Sequence, residues 1–213
     1  MKDIAAIRKE YRLRELDESQ VDTDPMAQFK SWFEEAIQSQ LPEPNAMHLA
    51  TVSSDGRPSG RVVLLKGLED GGFSFYTNYH SHKGRELEKN SYCCLTFFWP
   101  ELERQVRIEG QAERLDGKLS DAYFNSRPRG SRIGAWASPQ STVLSGRKIL
   151  EERFAEIEKR FEGKENFERP KQWGGYIVVP HLIEFWQGRE SRLHDRIEYH
   201  RTDTGWKIHR LAP

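Results

Sequence analysis

Apolar residues recur at two different spacings along this chain, and the change of spacing divides it. Between Thr23 and Gln40 they follow a helical interval: Phe29, Trp32, Phe33 and Ile37 form one stripe, read as core packing. Asp24 can cap this helix and Pro25 suits its first turn, while Leu41-Pro-Glu-Pro-Asn45 closes it. From Ala46 the period shortens to two. Strands are expected at about 46–52, 60–66 and 73–77, with Ser54-Asp55-Gly56 and Glu69-Asp70-Gly71-Gly72 as the turns between them. A short helix over 80–90 leads to strands at 91–100 and 104–115. Residues 119–126 read as a helix, and Leu150, Phe154, Ile157 and Phe161 mark another. After a loop at 165–172, four more strands are expected at 173–179, 182–187, 195–201 and 205–210.

Many short strands joined by tight turns predict an antiparallel meander that closes into a small barrel, mainly β with flanking helices (α+β). Residues 1–16 read as a short charged helix that passes into a mobile arm over 1–22. With no repeat and no low-complexity linker, one domain over 1–213 is expected. Its barrel strands lie in 46–115, a helical segment in 116–162 and the C-terminal strands in 173–213.

Composition narrows the function. The 213 residues are 36% hydrophobic and 31% charged, so the core is adequate and the surface very polar; a dimer sharing apolar surface would suit it. Thirty-three basic residues balance 33 acidic ones, which argues against a nucleic-acid binder. Cys93 and Cys94 are adjacent in a strand and point to opposite faces, so free thiols and a reducing cytoplasm are expected. No apolar run approaches the roughly 18 residues of a membrane helix, and the N-terminus has no apolar signal core. The expected location is cytoplasmic.

The densest chemistry lies in Ile183–Arg196, IEFWQGRESRLHDR. Ile183, Phe185 and Gln187 share one face of a strand, Glu184 and Trp186 the other. Gly188 breaks the strand. Arg192, His194, Asp195 and Arg196 then bring anion-holding and proton-moving groups together. A solvated polar turn is the competing reading. In RVVLLK, Arg61 shares a face with Val63 and Leu65, and Lys66 lies opposite. Tyr76, Thr77, Ser81 and Lys83 gather hydroxyls and a cation at a helix start, where free N–H groups and the dipole favour phosphate; surface and capping roles compete. Tyr123, Arg127 and Ser131 recur every four residues across a helix end broken by Pro and Gly. They could surround one phosphate, or form a basic loop. Gln105 alone is uninformative, and Gln140-Ser141 sit in a polar loop. Metal, acyl-serine, Walker and dinucleotide-glycine patterns are all missing, so no metal is expected.

Taken in order, RVVLLK, FYTN, ERQVRIEG, YFNSRPR, GAWAS and FWQGRESRLHDR resemble the pyridoxamine 5′-phosphate oxidase family, over nearly the whole chain from IRKEY to KIHRLAP. The resemblance implies a homodimeric split β-barrel with FMN in a cleft between subunits. It assigns Arg61, Val62, Val63, Leu64, Leu65 and Lys66 to FMN, together with Tyr76, Thr77, His82, Lys83, Gln105, Gln140, Ser141, Trp186 and Arg196. Lys66, Tyr123, Arg127 and Ser131 would hold the substrate phosphate. Arg192, Leu193 and His194 would hold the substrate against the flavin, with Arg192 and His194 as the catalytic pair. Arg8, Lys9, Glu10 and Tyr11 would cover the occupied site. Two positions depart from the family pattern. His82 stands where arginine is common, and Glu43 where a related chain would carry aspartate.

The implied reaction is oxidation of pyridoxamine 5′-phosphate or pyridoxine 5′-phosphate at C4′, with hydride passing to FMN, O2 as final acceptor and H2O2 as product. Neither nucleic acid nor membrane is an expected partner. Two rivals stay open at this point. A split-barrel flavin reductase would use a nicotinamide donor and need no second phosphate cluster. A carrier of pyridoxal 5′-phosphate would need no flavin set.

Overall fold

The computed structural model describes residues 3–7 and 9–213, so Arg8 lies outside the described residues. Among them, eight strands form one sheet in the order β2-β1-β4-β5-β6-β7-β8, with β3 paired to β6. The strands are β1 Ala46–Val52, β2 Pro58–Leu64, β3 Phe73–Asn78, β4 Tyr92–Trp99, β5 Arg104–Arg114, β6 Trp173–Gln187, β7 Asp195–Thr202 and β8 Gly205–Arg210. Five helices accompany them: α1 Pro25–Gln38, α2 His82–Lys89, α3 Gly117–Ser126, α4 Arg129–Ala137 and α5 Arg147–Arg160. The chain divides into two compact units. The first comprises the described part of Met1–Leu49 with Cys94–Gly110 and Pro180–Pro213; the second comprises Ala50–Cys93 and Gln111–Val179.

In the first unit α1 starts as expected. Asp24 accepts the N–H of Met26 at 3.0 Å and Pro25 occupies the first turn. Its buried face is Met26, Phe29, Trp32 and Ala36. Phe29 packs on Phe97 and Trp99, and Trp32 meets Phe185 edge-on at 5.2 Å. Burying each such ring contributes about 1.5–3 kcal/mol. Ile37 does not belong to this face and is 52% exposed. The interval from Phe29 through Trp32 to Ala36 tracks the helical period, whereas stepping by four through Phe33 turns away from it.

Among the described residues of 1–16 the expected α-helix is not formed. They hold a single 3₁₀ turn, Ile4–Ala6, and residues 9–16 are neither helix nor strand. Tertiary carboxylates take the N–H groups a helix would use: Glu103 accepts from Arg12 and Leu13, and Asp195 from Leu16. On the far side of the unit β7 pairs antiparallel with both β6 and β8. That register sets Phe185 opposite Ile197 and Trp186 opposite Arg196.

In the second unit β3 runs antiparallel to the first part of β6, with Tyr76 opposite Gly175 and Thr77 opposite Gly174. A side chain at Gly174 would come within 2.0 Å of the Tyr79 hydroxyl, so only glycine permits this approach. Phe124, Ile133, Phe161, Phe167 and Trp173 form the unit's aromatic-rich cluster. Two local expectations change. The segment after Arg127 is a new helix, because Pro128, which needs no N–H there, stands at the cap of α4. The strands expected at 173–179 and 182–187 are one continuous β6 containing Pro180. The register with β3 ends at Val178 and that with β7 begins at Leu182, so neither asks for the proline's missing donor. Both cysteines are free thiols.

Candidate active site

The second unit holds a cavity of about 490 Å³ whose walls come from β2, β3, α2, α3, α4 and the start of β6. Val62, Val63, Leu64, Lys66, Tyr76, Thr77, Lys83, Tyr123, Arg127, Ser131 and Gln140 all line it. Eleven of the residues singled out from sequence thus meet in one place, from segments far apart in the chain.

None of its three cations, the exposed Lys66 and the half-buried Lys83 and Arg127, has a carboxylate partner among the described residues. Lys83 projects from the first turn of α2 and donates to Thr77 Oγ1 at 3.2 Å. Burial, and then the Arg61 charge, hold its ammonium below the ordinary lysine value. Thr77 Oγ1 donates in turn to Gln140 Oε1 at 3.0 Å. Arg127 links α3 to α4. Its guanidinium lies 4.7 Å over the Trp173 ring, and its buried Nη1 has no hydrogen-bond acceptor. Burial lowers its pKa as well. Tyr76 and Tyr123 stack at 3.9 Å, and each stacks on Trp173. Burial and then the Glu69 charge push the Tyr76 phenol up to about 12, so its hydroxyl keeps its proton.

Other expected residues of this unit stand off the cavity lining. Arg61 is held by Glu86, Ser59 and Thr51. Glu86 is 5% exposed: burial works against its charge, but hydrogen bonds from Thr51 and Ser59, with His82 and Arg61, outweigh that and lower its pKa. His82 pairs with Glu86 at 3.0 Å, which accounts for where this departure from the family pattern points. Ser81 caps α2 through the Gly84 N–H. Leu65 is buried in the core. Ser141 is exposed, with φ 68°.

The remaining set lies in the first unit, around a cavity of about 410 Å³ lined by Ile7, Lys9, Glu10, Tyr11, Arg189, Ser191, Arg192 and His194. His194 Nδ1 accepts the Arg189 N–H at 3.0 Å, so the neutral ring carries its proton on Nε2. Its ring centre stands 4.6 Å from Trp186 and 6.0 Å from Tyr11. Burial and then the Arg192 charge lower its pKa, while Asp195 opposes them. Ser191 and Arg192 both have positive φ, 55° and 63°, a conformation that turns the chain sharply after Gly188. Arg192 is exposed and has no carboxylate within ion-pair distance among the described residues. Leu193 is 69% exposed and, like the half-buried Gln105, lines neither cavity. Glu43 stands in a turn, with φ 47°.

Trp186 and Arg196 face each other across β6 and β7. Arg196 is anchored: its Nε reaches Glu184 Oε1 at 2.7 Å and its Nη2 reaches Oε2 at 3.1 Å. Alternation sets Glu184 and Trp186 on one face of the strand and says nothing of burial. Glu184 is 2% exposed and neutralised by Arg196 and Arg107. Trp173, which lines the cavity and carries Arg127, was also missed. Its helix-free, glycine-flanked position signals a strand, and nothing in the pattern tells a ring that packs from one that presents a guanidinium.

The family described as pyridoxamine 5′-phosphate oxidase matches residues 33–161. The chain belongs to the pyridoxamine 5′-phosphate oxidase family. Residues 173–213 match that family's pyridoxine 5′-phosphate oxidase C-terminal dimerisation region, which here is β6, β7, β8 and the ends that follow. The chain is 56% identical to a pyridoxine/pyridoxamine 5′-phosphate oxidase of Cupriavidus taiwanensis over 100% of both chains. It is also 56% identical to that of Rubrobacter xylanophilus over 100% of this chain and 97% of the relative. Among solved structures, PhzG from Burkholderia lata, in complex with tetrahydrophenazine-1-carboxylic acid, matches with TM-score 0.89 and 32% identity over 96% of this chain and 100% of that one. An FMN-binding protein of Nostoc punctiforme shares the fold at TM-score 0.69 and 18% identity, covering 87% of this chain and 97% of its own. The sheet and helices described above are therefore those of the family's split barrel. No helix among the described residues is long and apolar enough to cross a membrane, and none of their His, Cys, Asp and Glu side chains cluster in threes for a metal.

Proposed function

We propose that this protein is an FMN-dependent oxidase that converts pyridoxamine 5′-phosphate or pyridoxine 5′-phosphate to pyridoxal 5′-phosphate. The alcohol and O2 give pyridoxal 5′-phosphate and H2O2; the amine, O2 and water give the same two products and ammonia. The observation that carries the reading is the cavity of the second unit, where Lys83 and Arg127 are both unneutralised by any described carboxylate. A buried cation without a counter-charge is costly unless an anion completes the site.

The residues fit two phosphates. Lys83 with Thr77, backed by Arg61, suits the FMN phosphate. Arg127 Nη1, with Lys66 and the hydroxyls of Tyr123 and Ser131, suits that of the substrate. The Tyr76–Tyr123–Trp173 stack presents flat apolar surface to an aromatic ring. A flavin, when bound, supplies the two-electron acceptor that no side chain provides. Arg192 and His194 orient the substrate and its developing charge. Neutral His194, with its proton on Nε2, can donate one hydrogen bond or accept a proton after that bond is released. In the homodimer implied by the dimerisation region, FMN lies between subunits, with Gln105, Gln140, Ser141, Trp186 and Arg196 completing its site. A flavin reductase using a nicotinamide donor would not need the second phosphate set. A pyridoxal 5′-phosphate carrier would not need Lys83 and Thr77 beside it.

The test is an absorption spectrum of the purified protein, followed by pyridoxamine 5′-phosphate without oxygen. Flavin absorbance that bleaches, then returns with H2O2 when air is admitted, supports the reading. A colourless protein, or a flavin that the substrate does not bleach, refutes it.

A further inference from the structure

One residue outside the expected reaction machinery holds two segments of the first unit at once, with its carboxylate and its main-chain carbonyl. Glu103 stands in the turn before β5, with φ 55° and a side chain only 3% exposed. Its Oε2 accepts the backbone N–H of Arg12 at 2.8 Å and of Leu13 at 3.1 Å, and the Lys9 ammonium lies 3.4 Å from Oε1. Its main-chain carbonyl accepts the Gly188 N–H at 2.8 Å and the Gln187 side-chain amide at 3.2 Å. The side chain therefore ties down Lys9–Leu13 while the backbone ties down the end of β6.

Tyr11 is what these two ties bring together. It packs so closely on Gly188 that a Cβ there would stand 2.7 Å from Tyr11 Cγ. Its ring meets Trp186 edge-on at 5.8 Å and faces His194. The Lys9 contact is open to solvent and adds little. The two main-chain bonds are charge-assisted and buried at the acceptor, so they dominate. No other described carboxylate accepts an N–H between Lys9 and Leu13.

We infer that Glu103 is a positioning residue. It seats Tyr11 against His194 and so sets the width of the cavity in front of Arg192 and His194. The effect on substrate rests on the proposed function; the tether itself does not.

Two variants of the full-length purified protein test it. Glu103→Gln keeps the shape and removes the charge. Gly188→Ala forces a methyl group into Tyr11 from the opposite side. Each is expected to speed trypsin cleavage after Lys9 and Arg12 by about tenfold or more, and to speed exchange of the Arg12 and Leu13 amides, because charge-assisted bonds are lost or displaced. Amides of β6 and β7 should keep the parent's protection. The double variant should open the strap by less than the product of the two effects, since both act on one contact. KM for pyridoxamine 5′-phosphate should rise in both, with flavin absorbance unchanged. Parent-like cleavage and exchange in both variants would overturn the tether, as would equal loss of protection throughout β6 and β7. A parent-like KM in variants with a released strap would overturn the positioning role. A parent protein whose flavin pyridoxamine 5′-phosphate does not reduce overturns the proposed function instead, while cleavage and exchange still decide the tether.

Discussion

The arginines around Glu184 and the cations of the second unit's cavity are treated in opposite ways. In the first unit, the half-buried Arg107 and Arg196 share Glu184, and the buried Arg104 pairs with Glu35. In the second, Lys83 and Arg127 face a cavity without a carboxylate, and burial lowers both pKa values. A cation neutralised by the fold serves the fold or aims a side chain. A cation left for something else marks where an anionic ligand is received. Net charge conceals this division, since the whole chain sums to +0.

The largest effect should come from breaking a neutralised pair. Glu184→Gln leaves two guanidiniums half-buried around a neutral amide. Loss of one partner from a buried ion pair costs about 3–5 kcal/mol. The parent's pH dependence has the matching sign. Burial opposes the Glu184 charge, but hydrogen bonds from Arg196 and Arg107 win and depress its pKa. Its stabilisation is therefore present above the ordinary carboxyl value of 4.5 and is lost as pH falls through the lower folded value. Arg127→Met should behave oppositely, with stability changing by less than about 1 kcal/mol because only its contact with Trp173 is lost. Urea unfolding of both variants is the check. A Glu184→Gln protein as stable as its parent would erase the contrast.

Next comes the exposed exception in the first unit. Arg192 has no described carboxylate to aim it, and its positive φ holds it at the cavity. Arg192→Met should lower the flavin-reduction rate by on the order of a hundredfold, through misplacement of the reacting carbon. Arg127→Met should instead weaken substrate binding, with the reduction rate recovered at saturation. Anaerobic stopped-flow traces across substrate concentrations separate the two. A parent-like saturated rate in Arg192→Met would make Arg192 a binding residue only.

A smaller effect separates the two cations assigned to the FMN phosphate. Lys83→Met removes a charge that nothing in the fold neutralises. A charge-assisted bond of about 1.5–3 kcal/mol predicts an FMN Kd higher by about tenfold or more. Arg61 already pairs with Glu86, so Arg61→Met should weaken FMN less. Fluorescence titration with FMN gives both constants, and the reverse order would mean that Arg61 is the principal anchor.

How far this was legible in the sequence follows from the same contrast. The strands and α1 were readable because alternation and an Asp cap followed by Pro are local signals. The cavity's contents were readable chiefly through the family resemblance, which assigned Val62, Val63, Leu64 and Gln140; hydroxyls beside cations at helix ends left surface and capping roles open on their own. Partnering was not readable. Alternation put Glu184 on the face of Trp186 but did not report that two arginines from other strands would let it be buried. Glu103 carried no local signal of its role, yet the Arg12 and Leu13 N–H groups it captures are not available to the helix expected there. Pro180 looked like a break because no local signal reports where two registers hand over.

The smallest effect at neutral pH concerns His194. Its folded pKa lies below its ordinary value of 6.5, chiefly through burial and then through the Arg192 charge. The sign follows directly. Above 6.5 the ring is neutral in both folded and unfolded protein and contributes no pH dependence. As pH falls below 6.5 the unfolded chain takes up the proton first, so stability declines until the lower folded value is passed. The reduction rate should hold through neutrality and fall on an acid limb below 6.5, as the Nε2-protonated neutral ring becomes imidazolium. His194→Asn should abolish that limb. Arg192→Met, whatever it does to the rate, should move the limb upward towards 6.5, because it removes one of the two influences that depress the pKa. A limb that stays where it was in Arg192→Met would mean that the two side chains are not electrostatic neighbours during the reaction. The loop carrying both would then have to rearrange when substrate binds.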